Sequence, residues 1–249
     1  MSYEPLLSII TVSAFDGERL ARTFKSLIGL PSSVEHIVVI PKEDSEAKTI
    51  WLSFKDSGAN QSILIHDQQR GIYPAMNLGA TAASGRFICF WNAGDKLHTQ
   101  NDLALLLEKL RATGSKWAIC QGQFEWRAHQ ELSLSNLVGF VTHEPHAFIS
   151  HQTVIVERML FEKIGMLDCR YRVAADTAQI TKLFLFEPTT WIDSVAVKVE
   201  TPNFASSNHR RARVEVLLIV LRNLYGRQKI KALQNIINSE FQRITLKMK

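Results

Sequence analysis

Five apolar runs, separated by four helix-spaced segments, set the tightest limit on how this chain can fold. Leu6–Val12 (LLSIITV), His36–Ile40 (HIVVI), Gln61–His66, Arg86–Trp91 (RFICFW) and Lys116–Cys120 are short and rich in β-branched or aromatic residues. The clearest of them lack the polar–apolar alternation of a strand with one wet face, so they read as strands covered on both sides. Between them, Leu20, Phe24, Leu27 and Ile28 recur at helical spacing through Leu30, and Pro31 stops that helix. A second helix is expected over Ser45–Ser57, a third over Tyr73–Ala83, closed by Ser84-Gly85, and a fourth over Asn101–Thr113, with Leu103, Leu106, Leu107 and Leu110. Such alternation predicts an α/β fold, a mainly parallel sheet with helices on both faces. Ligands of open sheets of this kind bind beyond the carboxyl ends of the strands, which directs attention to residues 13–16, 40–44, 66–72 and 92–96.

Beyond Gln121 the periodicity loosens, and residues 122–150 are expected to form a hairpin and a loop over the site. Strands are expected at Thr153–Val156 and Trp191–Val199, and helices at Arg158–Gly165, Ala174–Phe186, His209–Leu224 and Lys229–Phe241, with a loop over 200–208. The organisation expected is an α/β domain over 1–205 and a basic helical extension over 206–249. Ten Lys/Arg and two Asp/Glu in 206–249 give +8, so the +5 of the whole chain leaves −3 for the rest. The basic character belongs to the C-terminal segment. Arg210, Arg211 and Arg213 beside Val214, Val216, Leu217, Leu218, Val220 and Leu221 fit an interfacial helix on an anionic membrane surface, or a helix packed on the domain with a solvated basic face. Zinc-finger spacing, an RNP-like motif and a helix-turn-helix are all missing, so no nucleic-acid partner is expected. Cys89, Cys120 and Cys169 lack CxxC spacing, and neither a signal peptide nor a membrane-spanning run is evident. A cytoplasmic protein, peripheral at the inner face of the membrane, is the expectation.

The sharpest segment is Gly71-Ile72-Tyr73-Pro74-Ala75-Met76-Asn77-Leu78-Gly79, followed after a buried strand by Asn92-Ala93-Gly94-Asp95. A second is His151-Gln152, then Leu160 to Asp168, Tyr171 and Ala174-Ala175-Asp176; a third is the opening Leu7-Ser8-Ile9-Ile10-Thr11-Val12. In this order the three resemble family 2 glycosyltransferases of the GT-A fold, especially bacterial enzymes of the colanic-acid and exopolysaccharide type, over residues 5–200. The resemblance implies transfer of a sugar from a nucleotide-diphosphate-sugar to a glycan or lipid-linked acceptor in surface polysaccharide assembly (capsule or O-antigen), with inversion at the anomeric carbon.

The same resemblance implies that Asp95 binds Mn²⁺ or Mg²⁺ with the diphosphate and that Asp176 is the general base. A carboxylate just past a buried strand can hold a cation against the charge of a departing diphosphate. A carboxylate also suits the proton of an attacking hydroxyl. Read from the residues alone, Asp95 is equally a turn or helix-capping residue, and Asp176 equally a first-turn carboxylate on a helix. Thr11, Ser13, Asp16, Arg70, Gly71, Asn77, Asn92, His151 and Gln152 are the expected donor- and acceptor-binding set. Three positions depart from the family pattern. Ile40 stands where an acidic residue usually holds the nucleotide base, with Glu43 or Asp44 as substitutes in a shifted turn; Pro74 replaces an Asp, and Gly94 replaces an acidic residue that often contacts ribose, although glycine also occurs there in the resembling subgroup. A degenerate, non-catalytic GT-A domain is the alternative these departures raise.

Overall fold

The computed structural model describes residues 4–59, 61–124, 149–200 and 208–223. The expected loop over the site and the helix at Lys229–Phe241 fall outside these residues, as does all but the edge of the 200–208 loop. The expected alternation is present. Strands β1 (Leu7–Val12), β2 (Val34–Pro41), β3 (Ser62–Asp67) and β4 (Phe87–Asn92) are separated by helices α1 (Gly17–Ser26), α2 (Ser45–Asp56) and α3 (Ile72–Ala82). There follow β5 (Lys96–Leu97), α4 (Gln100–Ala112), β6 (Trp117–Phe124), a 3₁₀ turn (His151–Thr153), β7 (Val154–Glu157), α5 (Arg158–Lys163), α6 (Ala175–Phe186), β8 (Thr190–Val199) and α7 (His209–Asn223).

The eight strands form one sheet in the order β3-β2-β1-β4-β7-β6-β8-β5. The β3-β2-β1-β4 half is wholly parallel, whereas β7 runs antiparallel to both neighbours. Every residue of β1 and β2 is buried, and the sheet splits the core in two. Along β1, Leu7 and Ile9 enter one apolar cluster, and Ile10 and Val12 the other, the period of two that a pleated strand imposes. Helix α3 lies so close to the sheet that a Cβ on Gly79 would sit 2.4 Å from Ile10 Cγ2, so Gly79 serves packing.

Some boundaries differ from the sequence reading. Helix α1 ends at Ser26 rather than Leu30, because Leu27 N–H turns back to the Phe24 carbonyl and Gly29 adopts φ +81°. The two-residue strand β5 carries no periodicity and is recognisable only by its pairing with Val197 and Lys198 of β8. Helix α7, the described part of the expected C-terminal extension, packs on the domain. Its Val216, Ile219 and Val220 are buried in the cluster that also holds Ala175, Ala178 and Leu183 of α6. Among the described residues, no helix is long and apolar enough to cross a membrane.

Candidate active site

A cleft of about 520 Å³ opens outside the carboxyl ends of β1, β2, β3 and β4, where an open α/β sheet places its ligands. Val12 to Asp16 form one wall, Pro41, Asp67, Gln69 and Gly71 another, and Asn92, Ala93, Asp95, Arg19 and Glu200 close the floor. Its described lining carries four carboxylates (Asp16, Asp67, Asp95, Glu200) and one guanidinium, Arg19. Three buried polar atoms of this lining have no hydrogen-bond partner: Ser13 Oγ, Asn92 Oδ1 and Glu200 Oε2; Arg19 Nε faces Glu200 Oε1 at 3.5 Å. An unsatisfied buried polar atom costs about 1–3 kcal/mol, so such atoms gathered on one cleft point to a polar ligand.

Asp95 is among the residues lining the cleft and is 1% exposed. Its Oδ2 accepts from Asn92 N–H at 2.8 Å and Gln152 Nε2 at 3.1 Å, and its Oδ1 from Glu200 N–H at 3.1 Å. Burial raises its pKa, against the opposing pull of these donors. It does not cap α4, because Thr99 does.

The 3₁₀ turn 151–153 sends two consecutive side chains to different carboxylates. Gln152 reaches Asp95, its amide oxygen held by Ser150 Oγ. His151 Nδ1 lies 3.1 Å from Asp176 Oδ2. A carboxylate can only accept, so Nδ1 carries a proton, and Nε2 lies 3.4 Å from Asn92 Nδ2. The other Asp176 oxygen takes Thr177 N–H at 2.8 Å and shares the Tyr73 hydroxyl proton, at 3.2 Å, with the Val173 carbonyl. Burial, then the Asp176 charge, raises the Tyr73 pKa above its ordinary value, so Tyr73 stays a phenol donor. Asp176 is in the first turn of α6 but is not its cap, which is Ala174. The half-buried carboxylate thus has fixed partners on both oxygens and some access to solvent.

A model of the family described as "Glycosyl transferase family 2" matches residues 8–165. The chain belongs to glycosyl transferase family 2. An uncharacterized glycosyltransferase of Mycobacterium tuberculosis is 26% identical over 202 residues, 76% of this chain and 73% of the relative. A PGL/p-HBAD biosynthesis glycosyltransferase of Mycobacterium bovis is 30% identical over 132 residues, 47% of this chain and 45% of the relative. Among solved structures, S. aureus TarS in complex with UDP superposes with a TM-score of 0.70 at 14% identity, covering 95% of this chain and 72% of that one. A mannosyltransferase of Pyrobaculum calidifontis, in complex with GDP-Man and Mn²⁺, gives 0.68 at 14% identity, covering 96% and 70%. At such identities these two neighbours speak for the fold.

In this family 2 glycosyltransferase the expected site residues divide. Ser13, Asp16, Gly71, Asn92 and Asp95 line the cleft; Gln152 stands behind Asp95, and His151 and Asp176 are joined to the cleft through Asn92. Three residues are not brought to it. Thr11 is fully buried with its hydroxyl on His36 Nε2 at 3.0 Å, because its side chain points to the α1 side of the sheet. Asn77 spends both ends of its amide on Leu167, donating to the carbonyl at 2.8 Å and accepting from N–H at 3.0 Å, which ties α3 to the turn before α6. Arg70 is exposed on the rim and outside the lining.

The departures from the family pattern also resolve in space. Ile40 is fully buried. Asp44 does not replace the missing acid: it caps α2 through Ala47 N–H at 3.0 Å and holds Phe15 N–H at 2.6 Å. Glu43 is on the rim, its pKa lowered first by Gln69 Nε2, which donates to it at 2.8 Å. The carboxylate that does reach this corner is Asp67, opposite Pro41 in the β2–β3 register. Pro74 falls in the first turn of α3, where a missing N–H costs no helical bond. Gly94 has φ +101°, and a Cβ there would lie 2.5 Å from Glu200 Oε2 and 2.8 Å from Arg19 Nε. Glu200 therefore occupies the space that a side chain at 94 would enter. Asp67, Tyr73, Arg19 and Glu200 are the residues that sequence reasoning passed over. Only Asp67 lay in a strand-end window singled out beforehand.

The donor set bears on a metal. Among the described residues no group of three His, Cys, Asp or Glu could hold an ion. Asp95 Oδ1 has one lone pair left, and Glu200 Oε2 and Asn92 Oδ1 are unpartnered. These are hard oxygens, and they fit a cation that takes one or two protein ligands and fills its shell from phosphate and water.

Proposed function

We propose that this glycosyltransferase takes a sugar from a nucleotide-diphosphate-sugar bound in the cleft and passes it to the hydroxyl of a glycan or lipid-linked glycan, with Asp176 as general base and inversion at the anomeric carbon. The observation that carries the reading is the set of unpartnered polar atoms on Ser13, Asn92 and Glu200, in the lining that also holds Asp95. A nucleoside diphosphate offers donors and acceptors for such atoms. Its negative charge in a cleft of four carboxylates and one arginine calls for a cation. Asp95 and Glu200 would hold Mn²⁺ or Mg²⁺, which supplies positive charge to the leaving diphosphate. Asp67 would accept from the nucleotide base in place of the acid missing at Ile40. His151 and Tyr73 orient the Asp176 carboxylate, which takes the acceptor proton as that oxygen attacks from the face opposite the diphosphate.

Support for a membrane-bound acceptor comes from α7. Val214, Leu218 and Leu221 are exposed at i, i+4 and i+7 on a helix that also carries Arg211 and Arg222, a pattern suited to an anionic lipid surface at the inner face of the membrane. Surface polysaccharide assembly is the setting we assign.

The test is turnover of UDP-, GDP- and dTDP-sugars with a membrane lipid extract and Mn²⁺ or Mg²⁺, with Asp95→Asn and Asp176→Asn alongside. Metal-dependent release of nucleoside diphosphate, lost in both folded variants, is expected. Failure of every donor to bind or turn over would overturn the reading and leave a catalytically silent member of the family.

A further inference from the structure

The carboxylate with the most unusual set of partners lies outside the cleft. Glu215, in the second turn of α7, is 5% exposed. Its Oε1 accepts from Arg172 N–H at 2.9 Å and Arg211 Nε at 2.8 Å; its Oε2 accepts from Val173 N–H at 2.8 Å and Ala174 N–H at 3.0 Å. Three successive backbone amides thus close on one side chain more than forty residues away. Burial alone would make the carboxyl more basic, but the donors together outweigh it and hold its pKa below the ordinary value, so Glu215 is an anion at neutral pH.

These amides belong to the segment that delivers Asp176. Helix α6 begins at Ala175, and its cap, Ala174, has no side-chain oxygen to offer. Glu215 gathers the amides leading into α6 and places a negative charge near its N-terminus, where the helix dipole favours one. The same segment is held from the opposite side by Tyr73, whose hydroxyl meets the Val173 carbonyl at 2.7 Å and Asp176 Oδ1 at 3.2 Å. Further along α7, Arg222 reaches the Tyr171 hydroxyl at 3.3 Å and stacks on its ring, centroid 6.0 Å away. Helix α7 therefore grips residues 171–174 through Glu215 and Arg222, two residues upstream of Asp176. No described residue lining the nucleotide cleft lies beyond Glu200.

We propose that Glu215 is a positioning residue for Asp176, and that α7 thereby sets the alignment of the base without taking part in nucleotide binding. This rests on the reading of Asp176 as the base. The basic C-terminal segment then has a second consequence. Whatever holds α7, a lipid surface included, acts on the geometry of the base and leaves the affinity for the donor nucleotide unchanged.

The test compares wild type, Glu215→Gln, Glu215→Asp and Asp176→Asn, each shown to be folded by its thermal melt. Glutamine keeps the shape but turns a donor toward the Arg172 amide and Arg211, or toward the Val173 and Ala174 amides. Calorimetric affinity for UDP or GDP, whichever binds wild type, is expected to stay within about twofold in Glu215→Gln. Its kcat for nucleoside diphosphate release with lipid extract is expected to fall about tenfold to a hundredfold, the scale of a misplaced catalytic group. Glu215→Asp, which keeps the charge one methylene short, is expected to fall less; if the Gln variant does not fold, the Asp variant carries the test. An activity-free readout is the His151 imidazole signal in NMR, which touches Asp176 directly. It is expected to move in Glu215→Gln and Asp176→Asn alike, and to stay in place in Glu187→Gln, whose partner is Lys116. A folded Glu215 variant with wild-type kcat and an unmoved His151 signal overturns the proposal, as does a loss of nucleotide affinity that matches the loss of rate. Wild-type activity in Asp176→Asn would instead sink the reading of the base, an outcome distinct from both.

Discussion

Gly94 leaves room that the Glu200 carboxylate fills, and this can be tested by putting a Cβ back. In Gly94→Ala the new atom meets two obstacles. The backbone has φ +101°, which costs a non-glycine residue about 1–2 kcal/mol. The Cβ would also lie 2.5 Å from Glu200 Oε2 and 2.8 Å from Arg19 Nε. Those are ends of flexible chains and can move, but Glu200 is held by Arg22 Nη2 at 2.7 Å and faces Arg19 Nε at 3.5 Å. Displacing a half-buried ion pair of this kind adds about 1 kcal/mol. The sum, about 2–3 kcal/mol, corresponds to a fall in Tm of roughly 5–10 °C for a chain of this size. Glu200→Ala removes the nearer obstacle and the carboxylate that Arg19 faces, so that the Arg19 chain can swing aside, but not the backbone strain. In that background Gly94→Ala should cost only the first part, leaving a coupling of about 1 kcal/mol in a double-mutant cycle. Thermal and urea unfolding of the four proteins measure it. A Gly94→Ala protein melting within about 2 °C of wild type, or a penalty unchanged in the Glu200→Ala background, would refute the claim that Glu200 occupies the place of the missing side chain.

Asp67→Asn should weaken nucleotide binding by about 1.5–3 kcal/mol, the worth of a hydrogen bond to a charged group, as read by calorimetry with UDP and GDP; unchanged affinity would remove Asp67 from base recognition. Burial lowers the His36 pKa to about 3 from an ordinary 6.5, so its contribution to stability is fully present above pH 6.5 and is lost as pH falls toward 3. Between those limits the unfolded chain takes up the proton first, at about 1.4 kcal/mol per pH unit, and urea midpoints should show a weaker dependence in His36→Gln than in wild type. Asn77→Ala leaves the Leu167 amide and carbonyl unmatched and should destabilise the fold by about 1–3 kcal/mol, while nucleotide affinity of the folded protein stays as in wild type; a selective loss of affinity would return Asn77 to the binding set.

What could be read from the sequence follows from how far apart the cooperating residues are. The strands of the parallel half advertise themselves locally: β1, β2 and β4 are buried on both faces and are apolar almost throughout. The 3.6-residue period marks α1 and α4 equally well. Strand β5 is two residues long and exists only because β8 runs beside it, and nothing local in Lys96-Leu97 reports that. The site divides the same way. Asp95 and Asp176 lie in motifs a family resemblance can point to, but their surroundings come from elsewhere. Asp95 takes an amide from Glu200, 105 residues on, and Asp176 takes the hydroxyl of Tyr73, 103 residues back. Thr11 and Asn77 show the converse. Each sits in a motif, and each is turned away from the cleft by a contact invisible in the motif, with His36 and with Leu167.

The departures of this chain from its family's pattern follow from that separation. A motif records a charge at a sequence position, whereas a nucleotide meets charge at a point in space, and a neighbouring strand or the end of a distant one can supply it there. Ile40 has no oxygen, but the next strand ends in Asp67 across from Pro41. Gly94 has no side chain, but the carboxylate of Glu200 fills the space beside it. Both carboxylates lie among the residues lining the cleft. Asp67→Asn should leave the ligand-free protein about as stable as wild type, Glu200→Gln should cost about 1 kcal/mol through its lost pairing with Arg22 and Arg19, and both should weaken nucleotide binding. Were affinity intact in both variants, the two carboxylates would be scaffold, and the argument for a working donor site would rest on Asp95 alone.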